Sequence, residues 1–79
     1  MHLLTSEKKQ KLRLLANAEG YRRVDEMLAA AALDTCSPAI CCNNGCTYTC
    51  EMEPDQDRGW CDECSTNSMQ SALILAGLI

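Results

Sequence analysis

The chain is poor in the residues that do chemistry. Its one histidine, His2, lies far from every cysteine. No nucleophile and base are paired in any evident way, so no enzymatic activity is expected. No apolar run approaches the ~18 to 20 residues that a membrane helix needs. The longest, Ala72 to Ile79, is far too short, and no membrane partner is expected. The start, MHLLTSEKKQKL, has no long apolar stretch followed by a small-residue cleavage site, so no secretory signal is read there. Positive charge is scarce beyond residue 23, where Arg58 alone stands against nine acids. An acidic surface repels phosphate backbones. A nucleic-acid contact would therefore have to use the N-terminal face, where six basic residues meet only Glu7 and Glu19.

What is abundant is cysteine, seven in 79 residues. A chain this short buries little apolar surface, and a metal or disulfides usually make up the difference. Seven is odd, so disulfides cannot pair every thiol. A reduced, cytoplasmic protein with metal-bound thiolates fits better.

Residues 5–19, TSEKKQKLRLLANAE, read as a helix. Thr5 or Ser6 can cap it, Leu12, Leu15 and Ala16 share one face, and Gly20 suits a left-handed end. A second helix is expected from Arg23 to Leu33, with Val24, Met27, Leu28 and Ala31 at helical spacing and Asp25 and Glu26 in its first turn. Both helices are short, so they are expected to pair as a hairpin or to pack on the cysteine-rich half of the chain. Asp34 to Ile40 reads as a linker, because Pro38 biases Ser37 away from helix. Residues 47–53 alternate, with Tyr48, Cys50 and Met52 on one face of a half-buried strand. Residues 54–59 supply a turn. Trp60 is expected to cover the cysteine site or to pack on the helices. MQSALILAGLI, from Met69, is core, either a strand entering at Met69 or a short helix that Gly77 ends.

The stretch CCNNGCTYTCEMEPDQDRGWCDEC, residues 41–64, organises the rest. Zn²⁺ favours four thiolates in a tetrahedron, offered in close pairs from turns. Cys61 and Cys64 form a C-x₂-C turn of that kind. For the other pair Cys46 needs Cys41 (C-x₄-C) or Cys42 (C-x₃-C), since consecutive side chains diverge. Asn43, Asn44 and Gly45 can form the turn. Cys41 is preferred, and the choice stays open at this point. Cys50 reads as a buried small hydrophobe, and Cys36 and Cys42 have no assigned role. Four thiolates around one Zn²⁺ would add a net charge of −2 to an already acidic half.

C-x-N-x-G-C-x-Y-T, then E-P-D-Q-D-R-G-W-C-x-E-C, then S-A-L-I-L-A-G-L-I resembles a group of small zinc-ribbon proteins from bacteria and phages. The residues concerned are Cys41, Asn43, Gly45, Cys46, Tyr48, Thr49, Glu53 to Trp60, Cys61, Glu63, Cys64 and Ser71 to Ile79, with VDEMLAAAALD of the second helix also similar. The resemblance implies zinc held by Cys41, Cys46, Cys61 and Cys64, and it implies no activity.

The fold expected is therefore a small, metal-stabilised α+β domain. A helical hairpin (1–35) precedes a zinc-ribbon β-hairpin and an apolar C-terminal strand or short helix (36–79), packed as one unit. The function expected is a zinc-binding interaction module, a small regulator or adaptor for a protein partner, with the zinc structural. The alternative is a nucleic-acid-binding transcriptional regulator that uses Lys8, Lys9, Lys11 and Arg13.

Overall fold

A computed structural model describes residues 6–78. The element order is α1 (Ser6–Ala18), α2 (Val24–Ala32), β1 (Ser37–Cys41), β2 (Thr49–Met52), β3 (Gly59–Cys61), β4 (Thr66–Ser71) and α3 (Ala72–Leu75). This is the expected α+β class. Thr5, one of the two expected caps, lies outside the described residues.

Helix α1 ends as the sequence indicates. Gly20 takes φ +83°. The Tyr21 N–H then donates to Ala16 O at 2.8 Å and the Gly20 N–H to Asn17 O at 3.1 Å. These two bonds satisfy carbonyls that the helix end would otherwise leave open. The same pair of bonds closes α3, from Leu78 to Leu73 (2.9 Å) and from Gly77 to Ile74 (3.0 Å), with Gly77 at φ +75°.

All strand pairs are antiparallel, in the order β2-β1-β4-β3. The sheet is two hairpins, β1/β2 and β3/β4, joined by β1 against β4. The central strand β1 corrects the reading of Asp34–Ile40 as a linker. Pro38 biases Ser37 away from helix, which an extended strand satisfies as well as a linker does, although proline donates no ladder hydrogen bond. Pro38 pairs only with Glu51 of β2, and the β4 register begins one residue later at Ala39↔Ser71. The missing donor therefore costs the β4 ladder nothing.

Strand β1 also lacks alternation because both its faces are covered. Ile40 joins Leu12, Leu15, Ala16, Met27, Ala72 and Leu75 in a cluster under the helices. Ala39 and Cys41 point the other way and pack with Met52, Cys61 and Met69 inside the curl of the sheet. The two helices thus pack on each other and on the sheet together. Gly59 belongs to the second cluster for steric reasons. A Cβ there would lie 2.4 Å from Met52 Sδ and 3.2 Å from Met69 Cβ.

The apolar C-terminal run is both strand and helix. β4 begins at Thr66, before the expected Met69, and the chain turns into α3 at Ser71. The Ser71 hydroxyl accepts from Ile74 N–H at 3.3 Å, capping the turn, and donates to Pro54 O at 2.6 Å. The Ser71 N–H reaches Gln56 O at 3.4 Å. One buried serine thus starts α3 and holds the loop that crosses from β2 to β3. Ser37, also fully buried, accepts from Ala72 N–H at 3.3 Å. No helix among the described residues is long and apolar enough to cross a membrane.

Candidate metal centre

Each hairpin turn carries one cysteine pair. Cys41 ends β1, and Cys46 follows a tight turn, Asn43 to Cys46, closed by Cys46 N–H to Asn43 O at 3.2 Å. Gly45, third in that turn, has φ +80°. A type II turn requires this left-handed value, and glycine adopts it without strain. Cys61 ends β3, and Cys64 lies in the turn to β4. There Ser65 N–H donates to Cys61 O at 2.8 Å.

The β1–β4 pairing brings the two turns together. The Sγ atoms of Cys41, Cys46, Cys61 and Cys64 all lie within 4.8 Å of one another. Cys41 Sγ is 3.8 Å from Cys64 Sγ, and Cys46 Sγ is 3.8 Å from Cys61 Sγ. These distances are far beyond a disulfide bond, and all seven cysteines are free thiols. They do match a metal tetrahedron, since four Zn–S bonds of ~2.3 Å put the sulfurs about 3.8 Å apart. The donor set therefore fits a single thiophilic ion.

The choice between the adjacent cysteines follows from strand parity. Cys41 is fully buried on the inner face. Cys42 turns outward, its thiol lying 3.6 Å from Gln70 Oε1. Cys36 is exposed and Cys50 half-buried, and neither joins the cluster. Cys50 does pack against the inner cluster with Tyr48, as the alternation of residues 47–53 suggests. Trp60 departs from expectation. It faces outward between buried Gly59 and Cys61, with 55% of its surface exposed.

Around the sulfurs the backbone donates. Cys41 accepts from Asn43 N–H, Cys46 from Tyr48 N–H, and Cys61 from Cys64 and Glu63 N–H. The Cys64 N–H lies 3.4 Å from Cys61 Sγ. Such bonds orient thiolates and offset their charge.

A side-chain network backs Cys41. Asn43 Nδ2 donates to Thr66 Oγ1 (3.1 Å) and to Ser68 Oγ (3.3 Å), while Thr66 and Ser68 hydroxyls lie 2.9 Å apart. If Thr66 donates to Ser68, the Ser68 proton is left for Cys41 Sγ at 3.1 Å. Every donor then has an acceptor. On the far side of the centre, Tyr48 donates its hydroxyl to Asp62 at 3.0 Å and so ties the two turns together.

These contacts split the thiols. Burial pushes Cys41 up, but hydrogen bonds from Ser68, Asn43, Cys46 and Cys61 outweigh it and hold this thiol at about 7. Cys46 is pushed up to about 12. The Tyr48 N–H lowers it, and burial with the neighbouring Cys64, Cys41 and Cys61 thiols prevails. Burial also raises Cys61.

Lys11 is the residue that sequence reasoning placed elsewhere. Its ammonium donates to Asn43 O at 2.8 Å and to Cys46 O at 2.5 Å, so it is engaged by the first cysteine turn. Nearby, burial raises the Cys42 thiol against the opposing fields of Lys11 and Lys8. Nothing in the spacing of the N-terminal basic residues marks Lys11 out.

No family model, curated protein or solved structure matches the chain. What remains of the resemblance to the bacterial and phage zinc ribbons is the four-cysteine cluster itself.

Proposed function

We propose that the chain is a zinc-stabilised interaction module. Zn²⁺ on Cys41, Cys46, Cys61 and Cys64 would be structural, because four thiolates close the coordination sphere and leave no position for water. The observation that carries this reading is the pair of 3.8 Å sulfur separations across the two turns. Zinc at such sites is worth ~10 to 16 kcal/mol near neutral pH, against a net folding stability of about 5 to 15. The ion would decide whether so small a domain stays folded.

The partner side of the reading rests on the ribbon's surface. Glu51, Glu53, Asp55, Asp57, Asp62 and Glu63 are exposed, as is Arg58, and Trp60 on β3 is exposed too. Exposed tryptophan is a frequent anchor in protein interfaces. The nucleic-acid alternative has less support, since Lys11 is occupied by the cysteine turn.

The test is elemental analysis joined to circular dichroism. One zinc per chain is expected, lost with the folded spectrum on strong chelation and in Cys61→Ser, and retained in Cys42→Ser and Cys50→Ser. A spectrum unchanged after full removal of zinc would refute the structural role. A partner captured by the wild type and lost with Trp60→Ala would support the module. A low-salt gel shift with mixed DNA and RNA would favour the alternative.

A further inference from the structure

The basic helix reaches the first cysteine turn through Lys11. α1 and the first cysteine turn border an open groove of 640 Å³, with Lys8, Leu14, Gln70 and Leu75 on its walls. Lys11, half-buried, reaches to the turn and binds two carbonyls at once, Asn43 O and Cys46 O. Those carbonyls bracket the turn that sets where Cys46 Sγ lies. The Asn43 carbonyl also receives the Cys46 N–H at 3.2 Å. The Lys11 ammonium therefore fixes the geometry of the turn and stands beside a centre that would carry two negative charges when loaded.

We infer that Lys11 is a positioning residue of the metal centre, which makes the docking of α1 and the holding of the ion one coupled equilibrium. The inference rests on the zinc reading above. Coupling of this kind is reciprocal. An ion that gathers four thiolates draws the ammonium onto the turn. An ammonium already on the turn holds Cys46 ready for the ion and offsets its charge. Outer-shell groups of metal sites typically govern ten- to a hundredfold of affinity. Lys9 provides the internal control, since it is exposed on the same helix two residues away.

The test titrates zinc into the full chain against a chromophoric chelator. Lys11→Met is expected to weaken zinc binding about tenfold or more. Lys9→Met removes the same charge from the same helix and is expected to stay within about twofold, as exposed charges contribute little. Lys11→Arg should recover most of the loss, because a guanidinium can still donate to both carbonyls. The zinc-saturated Lys11→Met chain should keep the wild-type circular dichroism, which separates a weaker site from a broken fold. The inference is overturned if Lys11→Met binds zinc as tightly as the wild type. It is also overturned if Lys9→Met weakens binding equally, or if Lys11→Arg recovers nothing. A wild-type chain that takes up no zinc would overturn the metal reading itself and this inference with it. A wild type that binds zinc while Lys11→Met matches it removes only the role of Lys11.

Discussion

Ser68 Oγ lies 3.1 Å from Cys41 Sγ because β4 carries one residue more than the strand opposite. Gly59 pairs with Met69, and the next pair is Trp60 with Asn67, so Ser68 is left over. A bulge of this kind re-aims a side chain. Here Ser68 and its neighbour Met69 both serve the inner face, one through a hydrogen bond and one by packing.

Ser68→Ala removes that bond and leaves the sheet's apolar contacts in place. Zinc affinity is expected to fall about tenfold. The Cys41 thiol of the metal-free chain should move up from about 7, since a hydrogen bond to the thiolate favours the charged form. Chelator competition measures the first, and the pH dependence of thiol alkylation measures the second. A thiol still near 7 would assign its depression to the Asn43 N–H and the neighbouring Cys46 and Cys61 thiols.

The pH dependence of the loaded protein has a definite sign. The ordinary thiol value is 9.0. Below it an unfolded chain holds protons that a metal-bound chain does not, so stability rises with pH and is lost on acidification. Without metal, Cys46, pushed up to about 12, behaves oppositely. Its contribution is complete below about 9 and disappears as pH climbs through 12. Denaturant midpoints of the loaded chain from pH 6 upward should therefore rise. Addition of zinc at pH 8 should release fewer protons from an assembled metal-free cluster than from an unassembled one, because Cys41, held at about 7, has then largely lost its proton already. Potentiometric titration counts them.

Ser71→Ala strikes two elements together. It deletes the cap of α3 and the bond to Pro54 O. Loss of a cap costs ~1 kcal/mol, and the part-buried bond to Pro54 O is worth about 0.5 to 1.5 more. The loaded variant should keep its zinc and unfold at lower denaturant. A midpoint equal to the wild type would mean that the two bonds of the Ser71 hydroxyl contribute nothing to stability.

Helices α1 and α2 were legible because each signal was local. Leu12, Leu15 and Ala16 repeat at 3.6-residue spacing, and Gly20 adopts the left-handed conformation that ends a helix. The cysteine pairs were legible for the same reason, since a turn brings close residues together. Helix α3 was not, because its short apolar run fits a strand as well as a helix. β1 was hidden because it is short, contains Pro38 and is covered on both faces, so no alternation survives. The parity that selects Cys41 over Cys42 depends on that unread strand. The Ser68 bulge and the reach of Lys11 to Asn43 O depend on register and on contact across 32 positions, which no local pattern encodes. Trp60 was misplaced because its strand alternates the other way, with Gly59 and Cys61 inside.

The pairing of β1 with β4 has a consequence for the order of assembly. Ala39 meets Ser71, and Cys41 meets Met69. The helix-side cluster awaits Ala72 and Leu75, and the inner one awaits Met69. A nascent polypeptide that has emerged only as far as Cys64 owns all four sulfurs and neither finished interior. Cooperative closure of both interiors must then wait for the same late dozen residues, and removal of that stretch would unmake the two together.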